Sequence, residues 1–260
     1  MTQIPVPPKT DNTTADRRWQ ARVDLAAAHR LAVWHGFNEA ICNHFTLAVL
    51  GTADRYLQIP YGLHWSEVTA GCFLEVGYDG RVLKGSGEAE RSGFCIHAPI
   101  HRMISGAGCV LHTHMPFASA LARLEEPRIE PYGQTEIGLL DLIAYDDDYP
   151  GLALDPAEGE RLARALGDKK ILLMAGHGAL AVGATVAEAY DRLYYLERAA
   201  QVQLYAMWTG RPLKRLPAGI VAHTLRQYAE APVYGGRPSC EHHFAALKRL
   251  LDRREPDYAQ

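Results

Sequence analysis

The spacing of apolar residues changes several times along the chain and divides it into helical and extended segments. From residue 15 to residue 34 the apolar positions recur every three or four residues, and Gly36 follows them, which predicts an amphipathic helix with a glycine stop. The next segments predict strands, because they are short, rich in β-branched or aromatic residues and separated by Gly, Pro or Asp. These segments read FTLAVLG, RYLQIP, CFLEVG and GRVLKG.

Helical and extended patterns alternate in the rest of the chain. Residues 94–104 and 116–124 have helical spacing, and the run AGCVLHTH between them predicts an apolar strand with a polar end. Three further segments complete the pattern: a helix from Asp155 to Gly167, two strands within residues 169–183 that are broken at residues 176–178, and the longest helix at residues 185–209.

The chain contains neither a repeat nor an internal low-complexity linker, so the sequence predicts one domain. Residues 1–14 are rich in Pro, Thr and Asn and predict a flexible tail, and the domain is assigned to residues 15–255. Helices mixed with short strands in this order predict an α/β fold in which helices cover a mainly antiparallel sheet.

Composition and charge limit the classes of protein to consider. The chain has 260 residues, of which 48% are hydrophobic and 22% charged, and its formal net charge is -3. It has no run of about 18 apolar residues, and its first residues lack the apolar block of a signal peptide. We therefore expect a soluble cytoplasmic protein without a membrane partner. No basic run is interleaved with aromatic residues, which argues against nucleic acid as a partner.

The cysteines argue against a disulfide framework or a thiolate metal site. They are odd in number, widely spaced and without a CxxC pair, so buried free thiols in a reducing compartment are expected. Histidine is more informative, because the chain has 12 of them and several lie between His97 and His114.

Two of these histidines close the predicted strand AGCVLHTH. Side chains on a strand alternate between faces, so His112 and His114 leave the same face and can reach one metal ion. Open catalytic metal sites usually have three protein ligands, and His177, between two glycines at a strand break, is the candidate for the third. Spacing alone leaves a second interpretation open, in which these are hydrogen-bonded or surface histidines.

Short motifs occur in a fixed order along most of the chain. They are GFNE at residues 36–39, CNHFT at 42–46, IPYGLHWSEVT at 59–69, GRVL at 80–83, IHAPIH at 96–101, VLHTH at 110–114 and GHG at 176–178, with Tyr194, Leu196 and Glu197 beyond. Together they resemble the class II aldolase and adducin head-domain family, over about residues 17–255. The resemblance implies a three-layer α/β/α sandwich around a mainly antiparallel sheet. It also implies assembly into a homotetramer and a divalent metal ion held by His112, His114 and His177.

The resemblance further implies that this ion, zinc in the first place with Fe(II) or Mn as alternatives, polarises a carbonyl oxygen of the substrate. Aldolases of the family carry an acid/base glutamate at the position where this chain has Gly93. Glu90 or its neighbour Glu88 could take its place if the loop brings it to the site, although exposed loop carboxylates are common. Tyr132 is a second candidate, because its segment often borders the pocket in relatives. The catalytic acid/base stays open among these residues.

The positions that hold the substrate phosphate in sugar-phosphate members also differ. The matching residues are His44, Tyr61, Gly62, Arg91 and Ser92, so an imidazole and a guanidinium replace small polar groups. Such groups still favour an anion, and a planar guanidinium suits a carboxylate at least as well as a phosphate. The predicted substrate is therefore a small anionic carbonyl compound with a carboxylate. In the alternative interpretation Arg91 is a solvated loop charge and His44 packs behind the sheet.

Three functions are compatible with these features. The first is a divalent-metal-dependent lyase of aldolase or decarboxylase type, which stabilises an enolate of the substrate. A non-haem Fe(II) oxygenase acting on an α-keto acid is the second, because three histidines suit Fe(II) as well as zinc. The third is a non-catalytic assembly module, since adducin heads keep the fold and lose the metal histidines. The three histidines favour the lyase, although the missing glutamate argues against a plain sugar-phosphate aldolase.

Overall fold

The computed structural model of the chain describes residues 13–230 and 233–260. Their strands are β1 (His44–Ala48), β2 (Arg55–Gln58), β3 (Leu74–Gly77), β4 (Val82–Lys84), β5 (Cys109–Thr113), β6 (Ile143–Asp146), β7 (Ile171–Met174) and β8 (Ala179–Gly183). All of them join one eight-stranded sheet in the order β4-β3-β2-β1-β5-β8-β7-β6. Neighbouring strands are antiparallel except for β6 and β7, which are parallel.

Helices cover both faces of this sheet. They are α1 (Thr14–His35), α2 (Arg91–Met103), α3 (Pro116–Leu121), α4 (Gln134–Ile137), α5 (Pro156–Leu166), α6 (Val186–Trp208), α7 (Ala218–Ala229) and α8 (Ser239–Arg254). One layer contains α1, α3 and α6, with α8 packed on α6, and the other contains α2 and α5. The predicted α/β/α sandwich with a mainly antiparallel sheet is confirmed. Among the described helices none is long and apolar enough to cross a membrane.

The first helix shows how local chemistry sets its ends. The side chain of Thr13 accepts the amide N–H of Asp16, whose carboxylate in turn accepts from Thr13, and this reciprocal capping starts α1. The helix ends at Gly36, which has a left-handed φ of 70° and bonds back to Ala32 and Val33. The predicted tail at residues 1–14 overlaps this helix at Thr14, and its residues 1–12 lie outside the described part of the chain.

Strand alternation decides which face of the sheet carries the histidine pair. In β5, Cys109 and Leu111 belong to the core beneath α1 and α6, whereas Val110 packs with α2 and α5. His112 and His114 have the same parity as Val110, so they point toward the α2 and α5 layer. The C-terminal end of β5 therefore presents both rings on one side of the sheet.

Some elements escape the sequence pattern. Strand β6 has only four residues and depends on its parallel pairing with β7, and α4 is a single turn. Helices α7 and α8 follow the last predicted helix, and α7 contains no buried residue. Few of their apolar residues are buried, so the spacing of apolar residues does not distinguish these helices from loops.

The cysteines are free, as predicted, but their burial differs. Cys95 and Cys109 are buried in the core, whereas Cys42 is exposed and Cys72 and Cys240 are partly buried. The expectation of buried thiols is therefore wrong for Cys42, which lies in a turn before β1 rather than inside an apolar strand.

Candidate metal centre

Three histidine rings converge at the ends of two central strands of the sheet, β5 and β8. Pairing of β5 with β8 places His112 opposite Leu180 and Thr113 opposite Ala179, so the turn between β7 and β8 comes level with His114. This turn contains His177. One nitrogen from each ring lies within 4.8 Å of the other two, and the ring centroids are 4.7 to 5.0 Å apart. The sequence-predicted trio is thus brought together from two remote parts of the chain.

The glycines beside His177 have different physical reasons. Gly176 has a φ of +64°, a backbone conformation that side chains with a Cβ rarely adopt. At Gly178 a Cβ would lie 2.5 Å from the carbonyl oxygen of Thr113 and 2.8 Å from the His114 ring. The first glycine lets the turn form, and the second leaves room for the ring of His114.

Hydrogen bonds fix the orientation of two of the rings. Nδ1 of His112 lies 3.0 Å from the carbonyl oxygen of Ala179, and Nδ1 of His114 lies 2.5 Å from Oε2 of Glu39. Because these oxygens only accept, Nδ1 of each ring is the donor and Nε2 is the nitrogen left for a ligand. Among the described residues, Nε2 of His114 is buried without a hydrogen-bond partner. Asn43 adds a further restraint, since its side chain accepts the backbone N–H of His114 at 3.2 Å.

Two of the three histidines have lowered pKa values. Burial, followed by the neighbouring histidines His177 and His114, lowers the pKa of His112 well below its ordinary value. Burial also lowers the pKa of His177 to about 4, with His114 and His44 as the next causes. Both rings are therefore neutral near pH 7, which is the protonation state that a metal ligand requires.

A cleft of about 320 Å³ opens beside the three histidines. Its wall combines aromatic and aliphatic side chains with a few polar groups, which is typical of small-molecule sites. Besides the three rings, the lining includes Ile41, Cys42, Asn43, His44, Tyr61, Glu90, Ser92, Ile96, Arg123, Tyr149, Leu152 and Ala153.

A carboxylate–imidazole pair lies in the wall of this cleft. Oε2 of Glu90 is 2.8 Å from Nε2 of His44 and also accepts from the hydroxyl of Ser92 and the amide of Gly93, each at 2.7 Å. Burial alone would raise the pKa of Glu90. The hydrogen bond and the charge of His44, and the hydrogen bonds from Gly93 and Ser92, instead lower this pKa well below its usual range. Glu90 is therefore ionised at neutral pH.

A family model, the class II aldolase and adducin N-terminal domain, matches residues 23–204. The chain belongs to this family. A Caulobacter vibrioides protein described by class alone, as an aldolase class 2 protein, is 34% identical to the chain over 250 residues, which are 94% of each. Mouse alpha-adducin is 30% identical over 89% of the chain, which matches 33% of the adducin.

Solved structures agree with the class II aldolase fold. An aldolase II superfamily protein from Pseudomonas syringae has a TM-score of 0.86 and 33% identity, covering 94% of this chain and 96% of the other. L-fuculose 1-phosphate aldolase from Glaciozyma antarctica has a TM-score of 0.82 over 98% of this chain and 97% of its own, and its 22% identity shows likeness of fold alone.

The structure shows what surrounds Gly93, the position at which the resemblance to other class II aldolases implies a glutamate. A Cβ at Gly93 would lie 2.9 Å from both the His44 ring and the side-chain nitrogen of Gln58. The space of a longer side chain is thus filled from β1 and β2. Glu90, one turn earlier, presents its carboxylate to the same ring.

Other sequence-predicted site residues of this family member divide between the cleft and its surroundings. His44, Ser92 and Glu90 line the cleft. Arg91 does not, because its guanidinium donates to the carbonyl oxygen of Leu154 at 3.1 and 3.2 Å. It holds the end of a segment whose Tyr149 and Leu152 line the cleft. Gly62 and Tyr132 are likewise not among the lining residues, although Tyr61 is.

Sequence reasoning missed several residues at this site. Arg123 lines the cleft just after α3, and Glu39 lies beneath His114. No short motif contains both Arg123 and the three histidines. Histidines that bind a metal ion usually donate their second ring N–H to an oxygen acceptor. The carboxylate of Glu39, in the motif GFNE, could have been predicted as such an acceptor.

Proposed function

We propose that the chain is a divalent-metal-dependent lyase that cleaves a carbon–carbon bond in a small anionic carbonyl compound. The observation that carries this proposal is the convergence of His112, His114 and His177 at the wall of an open cleft. Family membership supports the reaction class.

The residues fit a metal ion. Two Nδ1 atoms are occupied by oxygen acceptors, and Nε2 of His114 is buried without a partner, so small rotations of the rings can satisfy one cation. Three imidazoles suit zinc, and Fe(II) or Mn are the alternatives. A divalent cation bound there supplies Lewis acidity, which stabilises negative charge developing on a carbonyl oxygen.

The chain's own groups supply the rest of the chemistry. We assign the proton transfer to the Glu90 and His44 pair, because it lies in the cleft wall and can hold one proton between its members. Ser92 orients Glu90 through its hydroxyl, rather than binding the substrate directly. Apolar walls formed by Ile41 and Ile96 reduce the water around the reacting group.

The assembly and location of the protein are part of this proposal. Exposed apolar side chains on α6 and α7, among them Val202, Trp208 and Ile220, support burial in a subunit interface of a homotetramer. The cytoplasm as the site of action rests on the composition of the chain alone.

The metal is tested first. We expect the purified chain to bind about one zinc per chain by elemental analysis, and the double variant H112A/H114A to bind less than about a tenth of that, because one remaining imidazole is a weak site. The control is H223A, which removes an exposed histidine on α7. Stoichiometric zinc in the folded double variant would contradict the proposal.

The reaction class is tested on the metal-loaded chain. Keto acids and sugar acids are screened with and without oxygen, with cleavage products followed by mass spectrometry. Turnover without oxygen supports the lyase, whereas a strict requirement for oxygen with Fe(II) replaces it by an oxygenase. Metal binding without turnover of any class would favour an assembly role.

A further inference from the structure

One charged side chain in the cleft has no anionic partner. Arg123 lines the cleft, and within residues 13–230 and 233–260 no carboxylate lies within 4.0 Å of its guanidinium. An arginine has five N–H donors, and the structure shows an acceptor for one nitrogen only, since Nη1 donates to the carbonyl oxygen of Ser119 at 2.6 Å. Donors on the rest of the fork are free to bind a ligand.

The backbone places this arginine next to the metal centre. The amide N–H of Gly176 donates to the carbonyl oxygen of Ala122 at 2.9 Å, which joins the residue before Arg123 to the turn that carries His177. Arg123 thus lies on the His177 side of the cleft, and the Glu90 pair lies on the wall formed by α2 and β1.

The carboxylate that lines the cleft is not paired with Arg123. It belongs to Glu90, which already accepts from Ser92 and the amide of Gly93 and lies 2.8 Å from Nε2 of His44. Within the described residues the guanidinium therefore has no carboxylate partner. An anion on the substrate would supply one.

The number of free donors favours a carboxylate over a phosphate. A phosphate dianion needs several donors, yet the Ser92 hydroxyl donates to Glu90 and Arg91 donates to Leu154. The side-chain nitrogen of Asn43, in the same lining, is a further donor without a partner among the described residues, but it carries no charge. A carboxylate is satisfied by one planar fork. We infer that Arg123 binds a carboxylate of the substrate, so the substrate is a carboxylated carbonyl compound rather than a sugar phosphate. This inference rests on the proposed function.

The experiment measures binding of the anionic group separately from binding to the metal. Three zinc-binding probes share a hydroxamate and differ in the tail: acetohydroxamate is uncharged, succinic monohydroxamate carries a carboxylate, and phosphonoacetohydroxamate carries a phosphonate. Dissociation constants are measured by isothermal titration calorimetry on the zinc-loaded full chain, on R123Q and R123K, and on two comparison variants. R91Q removes the arginine that holds Leu154, and R102Q removes an exposed arginine of α2 that faces Glu160.

We expect the wild type to bind the carboxylate probe about 10-fold more tightly than acetohydroxamate, with the phosphonate probe weaker than the carboxylate. R123Q should lose this preference and keep its affinity for acetohydroxamate, which also shows that it is folded. R123K should keep part of the preference, and R91Q and R102Q all of it.

Other outcomes overturn the inference in distinguishable ways. A preference that survives in R123Q, or that R102Q also loses, removes Arg123 as the anion site. Tighter binding of the phosphonate keeps the site but contradicts the carboxylate. A chain that takes up no zinc overturns the proposed function, and this inference with it.

Discussion

At the scale of single residues, the candidate metal centre depends on groups that would not themselves touch an ion. Glu39 and Asn43 come from one turn between α1 and β1 and hold the ring and the backbone of His114 respectively. Ala40 and Asn43 in this turn have positive φ values of 49° and 75°. A backbone conformation of this kind is uncommon outside glycine and is kept here by the contacts around it.

Replacing Glu39 should weaken zinc binding without unfolding the chain. E39A is expected to lower the affinity for zinc about 10- to 100-fold, because the Nδ1 proton of His114 loses its acceptor. E39Q keeps a neutral acceptor and should lie between E39A and the wild type. Affinity is measured by competition with a chelator, and E125A, an exposed glutamate, is the control. Equal affinities in E39A and E125A would mean that the contact does not tune the site.

At the scale of elements, α3 connects the metal centre with the longest helix. This helix of 6 residues begins directly after His114 and Met115. The carboxylate of Glu197 on α6 accepts the amide N–H groups of Phe117 and Ala118, each at 2.8 Å. Burial raises the pKa of Glu197, while these two amides lower it. A buried carboxylate thus satisfies the donors that a short helix leaves free at its start.

Removing this cap should destabilise the whole domain. E197A is expected to lower the free energy of unfolding by about 1 to 3 kcal/mol, because two buried amide groups lose their acceptor. E197Q retains one acceptor oxygen and should lower the free energy of unfolding by less than E197A does. The control is E160A on α5, whose ion pairs are exposed and whose loss should stay within about 0.5 kcal/mol. Urea unfolding of all three checks this, and similar values for E197A and E160A would contradict it.

At the scale of the whole molecule, the fold buries several histidines in their neutral form. Burial lowers the pKa of His29 and of His101 to about 4, opposed in each case by a hydrogen bond to a backbone carbonyl. In the unfolded chain both have an ordinary pKa near 6.5. Between these values the unfolded state binds more protons than the folded state, so stability falls as the pH is lowered from about 6.5 to 4.

This pH dependence can be measured on the metal-free chain. Each buried histidine should contribute up to about 1.4 kcal/mol per pH unit within that window, and nothing above it. H29L removes one titrating group from an aromatic cluster of Phe45, Trp65 and Phe73, and its stability should fall less steeply with acid. H223Q changes an exposed histidine and should keep the slope of the wild type. Parallel slopes for wild type and H29L would contradict the prediction.

Much of the fold could be predicted from local signals. A glycine stop indicated the C-terminal end of α1, Asp155 and Gly167 indicated both ends of α5, and short apolar runs indicated β1 to β5. The cap that starts α1 was not predicted, because its residue Thr13 lies in the predicted tail. Strand β6 could not be predicted, because four residues acquire a defined state only by pairing with β7. The exposed helix α7 lacks a buried stripe that would mark it.

The sequence alone determined the chemistry available: an H-x-H pair at the end of an apolar strand, a histidine between glycines and the order of motifs that assigns the family. Parity along a strand is a local property, so the shared face of His112 and His114 followed from their spacing. Tertiary structure decided which charged groups reach the cleft. Arg91 was predicted there and instead binds Leu154, whereas Arg123 faces it. The reason is physical: the direction of a side chain in a loop depends on acceptors supplied by remote segments, and no local pattern encodes them.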